Sequence, residues 1–145
     1  MSATRCFSRP AIASLESATI LGVRSGTEHR FTAVWLVVVD GRVFARSWTD
    51  KTTGWFRAFL GEPRGAIQLP GGREVRVLAK RVRGERLLDA IDRAYAEKYH
   101  TRASRKWVVG FARPKRRATT IEFVPRPHGE RATARALANR HRPPV

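Results

Sequence analysis

The sequence predicts an α+β domain that is mainly β, with a closed or partly closed antiparallel barrel of about six strands and two or three helices packed outside. Three observations predict it. An apolar run at residues 31–39 is followed by Asp40, Gly41 and a second apolar run, which is the pattern of a tight β-hairpin. Four further short segments are rich in strand-forming residues. Two stretches with apolar residues at helical spacing lie between those strands.

Each element follows from its local sequence. Pro10 suits the first turn of a helix, because its missing N–H needs no partner there. Pro63 ends the second helix, and the glycines after Pro70 supply the positive φ of a tight turn. We expect helices at 10–17, 55–60 and 83–100, strands at 18–24, 31–39, 43–48, 66–69, 74–83 and 118–124, an unassigned stretch at 101–110 and a basic loop at 111–117.

The chain divides into three parts on composition. Residues 1–16 form an N-terminal arm with a short helix, and residues 17–125 form the barrel domain. Residues 126–145 form a basic tail rich in Pro, Arg, His and small residues, which we expect to be mobile. Residues 101–145 hold 12 Lys and Arg against 2 Asp and Glu, so this end carries much of the net charge of +17. The charge favours anionic partners, such as a phosphorylated cofactor or nucleic acid.

Several classes of site and location are not expected. Cys6 is the one cysteine, which excludes an internal disulfide and a cysteine-rich zinc site, and the four histidines show no metal-binding spacing. No paired carboxylates or nucleophile with a nearby base are visible, so a cofactor would carry any chemistry. The apolar run at 33–39 is too short to span a bilayer, and no long apolar core follows Arg5 and Arg9. We expect a cytoplasmic protein without a membrane partner.

The hairpin delivers a polar cluster to the junction between a strand end and a helix start. Backbone N–H groups and the helix dipole favour an anion at such a junction. Arginine clamps a phosphate through two N–H groups, lysine adds a point charge, and hydroxyls donate hydrogen bonds. The alternative is a solvated turn in which a threonine caps the helix. The candidate phosphate ligands are Arg46, Ser47, Lys51, Thr52 and Thr53.

Aromatic residues flank this polar cluster. Trp48 and Trp55 would stack on a flavin or another planar ring, or would pack in the core. Trp35 is expected in the core. Tyr95 and Tyr99 lie on one stripe of the long helix, a position more typical of the core than of a cofactor site.

Several segments together resemble the small bacterial domain-of-unknown-function family numbered 2255. The resemblance covers roughly residues 15–126, and more distantly the chain resembles the flavin-binding split β-barrels, among them the deazaflavin-dependent nitroreductase-like proteins. Arg24-Ser25-Gly26 followed by Arg30 is similar to a conserved turn of those barrels. The segments that carry the resemblance to the first family are residues 37–41, 43–47, 55–56, the Gly-rich hairpin, 89–95, 98–99 and 117–120.

The resemblance implies a fold, a cofactor class and an assembly. The fold would be a split antiparallel β-barrel, and the cofactor FMN or a deazaflavin, used to transfer hydride to a small substrate. Arg24, Ser25 and Arg30 would contact the phosphate or the ring edge, although a plain exposed basic turn also explains them. By analogy with split barrels, which usually build the cofactor site across a dimer interface, we expect a homodimer.

A non-catalytic binding protein is the alternative function. It would bind another anionic ligand in the barrel mouth, or nucleic acid through the basic C-terminal residues, which contact phosphates without sequence preference. Those residues are Arg113, Lys115, Arg116, Arg117, Arg126, Arg131, Arg135 and Arg140.

Overall fold

The computed structural model describes residues 6–126, and within them the chain forms six strands and five helices. All six strands pair antiparallel in one closed barrel, so the predicted mainly β barrel is confirmed. In chain order the elements are α1 (Arg9–Ser17), β1 (Ile20–Ser25), β2 (Thr32–Val39), β3 (Arg42–Ala45), α2 (Trp55–Gly61), β4 (Arg64–Gln68), β5 (Glu74–Arg81), α3 (Glu85–Lys98), α4 (Arg105–Phe111), α5 (Pro114–Arg117) and β6 (Ile121–Pro125). Around the barrel the order is β1-β2-β3-β6-β5-β4, and β4 pairs back with β1.

The β2–β3 hairpin forms as its Asp-Gly sequence predicts. Asp40 has φ 51° and Gly41 has φ 73°, so both turn residues are left-handed. Two successive left-handed residues give the turn that matches the right-handed twist of the flanking strands. The pairing of Val39 with Arg42 fixes the register, and the rest of the hairpin follows to the pair Leu36 and Ala45.

The barrel interior is filled by the apolar face of each strand. On β1 the buried residues alternate along the strand, as Leu21 and Val23 show. Helices α1 and α2 add Leu15 and Phe59 to the same core. Closure of the barrel leaves no strand edge unpaired, which removes a route to aggregation.

Helix α3 packs on the outside of β2 and builds a second core with its apolar stripe. Two tyrosine hydroxyls from this stripe bind main-chain groups of the strands. The Tyr99 hydroxyl accepts the N–H of Leu36 at 3.0 Å and lies 2.7 Å from the carbonyl oxygen of Thr19. The Tyr95 hydroxyl accepts the N–H of Arg46 at 3.0 Å and donates to the carbonyl of Trp35 at 3.1 Å. Both tyrosines are therefore core residues, as predicted.

The segment between α3 and β6 differs from the prediction. The basic loop expected at 111–117 is wrong, because Phe111 ends α4 and Pro114 opens α5. Short helices of this kind are stabilised by tertiary packing rather than by a long periodic pattern, so they have little local signal in the sequence. The last strand begins at Ile121 rather than 118, since the hydroxyls of Thr119 and Thr120 donate to carbonyls three residues earlier.

None of the helices between residues 6 and 126 is both long and apolar enough to span a bilayer. The predicted basic tail at 126–145 lies outside the described residues except for Arg126. Residues 1–5 of the predicted arm also lie outside them.

Candidate functional site

All four tryptophans of the chain line one cavity. Trp35 comes from β2, Trp48 from the segment after β3, Trp55 from the first position of α2 and Trp107 from α4. These are all the tryptophans of the chain, and each comes from a different segment. The cavity has a volume of about 410 Å³ and is lined by Ala33, Val34, Trp35, Arg46, Ser47, Trp48, Thr49, Trp55, Trp107 and Phe111.

The aromatic walls of this four-tryptophan cavity are held by ring contacts. Trp35 stacks on Tyr99, with ring centroids 4.2 Å apart and planes 2° from parallel. Trp48 meets Trp107 edge to face at 4.9 Å and meets Phe111 in the same way at 5.3 Å. Such contacts fix ring orientations beyond what area burial alone would do.

Trp48 is the most tightly held of the four tryptophans. The guanidinium carbon of Arg116 lies 3.7 Å from its ring centroid, and the Arg116 Nε donates to the Trp48 carbonyl at 3.0 Å. Gly110 lies beneath the ring, where a Cβ would be 2.3 Å from the Trp48 Cη2 atom. Only glycine allows this approach, so α4 carries a glycine at the point where the indole rests.

Arg46 is one of the residues that line the cavity, and its side chain is wholly buried. Its Nε donates to the Thr120 hydroxyl at 2.8 Å, Nη2 donates to the Leu88 carbonyl at 3.1 Å, and Nη1 donates to Asp92 and to the Phe111 carbonyl. The guanidinium thus makes four hydrogen bonds with its five N–H groups. These contacts join β3 to α3 and α4. The phosphate contact predicted for Arg46 stays a prediction.

The loop that follows Ser47 presents the other predicted phosphate ligands. Ser47 is buried, and its hydroxyl donates to the carbonyl of Thr49. Lys51, Thr52 and Thr53 are exposed between Trp48 and Trp55, two of the residues that line the cavity. The predicted alternative of a threonine cap is wrong, since the N-cap of α2 is Gly54 and no side chain caps it.

Arg24, Ser25 and Arg30 do not line the cavity. The Ser25 hydroxyl is within 2.7 Å of the Glu62 carbonyl oxygen and 3.1 Å of the Ala58 carbonyl oxygen, at the C-terminal end of α2. Trp55 lies at the opposite end of that helix. Arg24 donates to Glu74, and its buried Nε has no partner among the described residues. Arg30 is exposed. None of these three residues is therefore on the lining of the cavity that contains Trp48.

Among residues 6–126, the cavity lining contains no acid or base suited to proton transfer. Arg46 is the one ionisable residue of that range on it, and no carboxylate, histidine or cysteine of that range lines it. Behind the wall, burial raises the pKa of the Tyr99 hydroxyl to about 12 and raises the pKa of the Tyr95 hydroxyl as well. Both hydroxyls stay protonated at neutral pH and keep their hydrogen bonds. Within residues 6–126 no group of His, Cys, Asp and Glu is arranged to hold a metal ion.

The sequence pattern does not single out Trp107 or Phe111 as site residues, and it indicates Arg116 only as a phosphate contact for nucleic acid. Their segment, 101–117, lacks the periodicity that would have predicted α4. One signal was available: no Asp or Glu occurs between Glu97 and Glu122. A tryptophan in such a basic, acid-free stretch favours an anionic or aromatic ligand over ordinary core packing.

The comparisons with known proteins place the chain among barrels of this type. A family model described as "Uncharacterized protein conserved in bacteria (DUF2255)" matches residues 11–123. A comparison with curated proteins found no match.

Three solved structures have a similar fold. A conserved hypothetical protein from Mycobacterium tuberculosis is 17% identical with a TM-score of 0.55, and the match covers 88% of this chain and 86% of that chain. A Listeria innocua protein provisionally named a pyridoxamine 5′-phosphate oxidase is 20% identical with a TM-score of 0.50, covering 80% and 90% of the two chains. An FAD-binding protein from Mesorhizobium loti is 14% identical with a TM-score of 0.48, covering 82% and 88%. The first two similarities show the fold.

Proposed function

The chain belongs to the DUF2255 family, as its sequence indicated, and from this premise we propose that the four-tryptophan cavity binds a flavin or deazaflavin cofactor. One observation carries the proposal: every tryptophan of the chain lines the same cavity of about 410 Å³. That volume lies within the range of small-molecule sites, which are mostly apolar and aromatic with a few polar groups. A planar heteroaromatic ring with an anionic tail suits these walls and the exposed Lys51 in the loop beside them.

The ring would be held by the indoles. Trp35 is stacked on Tyr99, and Trp48 is fixed between Arg116 and the surface of α4. Because these rings are already ordered by contacts inside the protein, binding would cost little further loss of side-chain freedom. Trp55 and Trp107 would complete the apolar enclosure.

The phosphate would be held at the rim by the loop after Ser47. Lys51 is exposed there and supplies a cation, while Thr52 and Thr53 supply hydroxyls. Arg46 supports this loop through its contacts with α3 and α4, and the amide of Ser47 donates to the Thr119 hydroxyl at 2.8 Å. The loop is therefore held in place at Ser47, where it is buried, and its polar residues Lys51, Thr52 and Thr53 are exposed to solvent.

A bound flavin or deazaflavin would supply hydride transfer to a small substrate, so the protein would be an oxidoreductase. The residues of the chain would bind and orient the cofactor and exclude water with their aromatic rings. The residues that line the cavity within the described part of the chain include no carboxylate, histidine or cysteine, so these side chains are not arranged for hydrolysis or for a covalent intermediate. The name of the Listeria innocua structure, an oxidase of a phosphorylated compound, supports this proposal only as a fold analogy.

We also propose a homodimer and a cytoplasmic location. Ser25 lies at the other end of α2 from Trp55, and neither Ser25, Arg24 nor Arg30 is among the residues that line the cavity, so a second copy of the chain would bring these residues to the cofactor. A dimer would therefore reconcile both groups of predicted ligands. A monomer in light scattering at micromolar concentration, with or without cofactor, would contradict the dimer.

The binding proposal is tested by titrating the protein with FMN, with riboflavin and with a deazaflavin. Riboflavin shares the ring of FMN and lacks the phosphate. We expect FMN to bind more tightly than riboflavin, and Lys51→Ala to weaken FMN binding by about fivefold while leaving riboflavin affinity unchanged. The matched control is Lys80→Ala, which removes an equally exposed lysine from β5.

Two results would overturn the proposal. One is the absence of binding to FMN, riboflavin and deazaflavin alike. The other is an equal loss of FMN affinity in the Lys51→Ala and Lys80→Ala variants, which would indicate attraction to net charge rather than to a site.

A further inference from the structure

A second ligand surface lies on the outer side of α4 and α5. Within the part of the chain that the structure describes, none of its six cations forms a salt bridge. Arg117, by contrast, lies in the same segment and is paired with Glu85, Asp89 and Asp92. We call this surface the basic face and define it by Arg102, Arg105, Lys106, Arg113, Lys115 and Arg116.

The segment that carries the basic face is strongly positive, and the nearby Asp50, which lines a pocket with Arg113, Lys115 and Arg116, is paired with Arg57. No Asp or Glu occurs between Glu97 and Glu122, so the six cations have no neutralising neighbour in sequence. Like charges that repel one another in this way destabilise the fold slightly, and their field attracts an anionic partner. Cations that cluster on one face of a domain are typical of proteins that bind the phosphate backbone of a nucleic acid.

Aromatic and apolar groups are exposed within the same surface. Trp107 keeps 41% of its surface exposed and Val109 keeps 55%. A wide groove of about 970 Å³ runs between Trp48, Trp107 and the cations Arg102, Arg105, Lys106, Arg113 and Arg116. A large exposed indole surrounded by cations that form no salt bridge is typical of a surface that contacts a ligand, and Lys106 lies 5.3 Å from the centroid of the Trp107 ring.

We infer that the basic face binds single-stranded nucleic acid. It shares Trp107 with the four-tryptophan cavity, whereas its six cations lie outside the lining of that cavity. The cations contact phosphates, and the open side of Trp107 stacks on a base. This combination of a positively charged groove and an aromatic platform is how single strands are bound without sequence preference. A groove with the indole at its wall fits splayed bases better than it fits duplex, whose bases are already stacked.

A bilayer surface is the competing partner, since Trp, Val and cations also suit anionic lipid headgroups. The groove is concave and lined by five cations, and the exposed apolar residues on α4 are confined to Trp107 and Val109. An interfacial helix needs a continuous apolar face, which a helix of seven residues with two such side chains does not supply. The geometry therefore favours the nucleic acid.

The test is fluorescence anisotropy of the full chain with a labelled single-stranded RNA or DNA of about twelve nucleotides at several salt concentrations. We expect Arg105→Ala/Lys106→Ala to weaken binding about tenfold near 0.1 M salt and to reduce the slope of log affinity against log salt by roughly 1.4. The control Arg73→Ala/Lys80→Ala removes one exposed Arg and one exposed Lys from another part of the barrel. We expect this control to change the affinity and the salt slope by far less.

Stacking is tested at Trp107. Trp107→Ala is expected to weaken single-strand binding about tenfold, and Trp107→Phe to restore most of it, because phenylalanine keeps an aromatic face. The Arg105→Ala/Lys106→Ala variant should bind FMN as tightly as the wild type does, because neither residue lines the cavity. The FMN titration and the oligonucleotide titration therefore test the two sites separately.

Three outcomes would overturn the inference. The first is equal loss of oligonucleotide binding in the two double variants. The second is binding that Trp107→Ala and Arg105→Ala/Lys106→Ala leave unchanged and deletion of residues 127–145 abolishes. The third is binding to phosphatidylserine vesicles that needs Trp107, with no binding to the oligonucleotide.

Discussion

The charged side chain of Arg46 is wholly buried, unlike the exposed arginines that bind ligands at a protein surface. The guanidinium has four protein partners, and Asp92 is the one that carries the opposite charge. Asp92 also binds Arg117, so one carboxylate connects the buried arginine to the surface. A buried guanidinium is costly without its counter-charge and its hydrogen bonds.

Asp92→Ala should therefore be strongly destabilising. We expect a loss of about 2 to 3 kcal/mol in the free energy of unfolding, since the wholly buried Arg46 loses its carboxylate while Asp92 itself is 24% exposed. The control is Asp89→Ala on the same helix, which also loses a contact with Arg117 but is 56% exposed and does not touch Arg46. Its expected cost is below about 0.5 kcal/mol. Urea unfolding measures the loss of stability in both variants. Equal losses in Asp92→Ala and Asp89→Ala would show that Asp92 does not stabilise the buried charge of Arg46.

Lys98 gives the stability a dependence on pH. Its ammonium is half-buried and donates to the Leu15 carbonyl at 3.1 Å, and burial lowers its pKa to about 8 although the charge of Glu16 raises it. Between pH 8 and the ordinary value of 10.5 the unfolded chain binds more protons at this residue than the folded chain does. The contribution of Lys98 to stability therefore rises with pH across that window.

The prediction is checked by urea unfolding of the wild type and of Lys98→Met at about pH 7.5 and pH 9.5. The wild type should gain stability relative to the variant as the pH rises, because the variant has no charge to desolvate. Parallel curves for the two proteins would show that Lys98 is hydrated in the folded state.

Helix α4 is the element that completes the cavity wall. It is short and carries Gly110 where the helix meets Trp48. The indole sits so close that the helix and the ring position each other. Packing of this kind explains why seven residues without a capping side chain are helical here.

Gly110→Ala should displace Trp48. An alanine Cβ would lie 2.3 Å from Cη2 and 2.6 Å from Cζ3 of that ring, so we expect about 2 kcal/mol of destabilisation and weaker FMN binding. The control is Gly61→Ala in α2, where no atom lies within 4 Å of the added Cβ. There the helical propensity of alanine should leave stability unchanged or raise it by up to about 1 kcal/mol. Near-UV circular dichroism would report the ring movement, and an unchanged spectrum for Gly110→Ala would contradict the contact.

Elements with local signals were predictable, and those that depend on tertiary packing were not. The Asp40-Gly41 pair specifies its turn by backbone chemistry alone, and the stripe of α3 is visible in the sequence. Helices α4 and α5 have no comparable signal, because their stability comes from Trp48 and from the barrel wall. The burial of Arg46 was equally invisible, since its partners Asp92 and Thr120 are distant in the chain.

At the scale of the whole molecule, barrel closure brings the site together. Strands β2 and β3 are neighbours in the barrel, and α3 packs on β2 and α4 on α3. Trp35, Trp48 and Trp107 thereby converge from distant parts of the chain. The sequence predicts Trp48 and Trp55 as ring contacts and Trp35 as a core residue, and Trp35 does pack against the second core. That Trp35 also lines the cavity was not predictable, because which face of a barrel strand lines a cavity depends on the closed geometry.

The measurement that tests the four-tryptophan cavity most directly is the intrinsic fluorescence of the full chain during titration with FMN and with a deazaflavin. All four emitters line the cavity, so a bound flavin should quench most of the tryptophan emission, with saturation at a defined stoichiometry. The same quenching should be absent with a phosphate ester that lacks a ring. Emission that stays unchanged at saturating FMN and deazaflavin, after correction for absorbance, would contradict the assignment of this cavity as a flavin site.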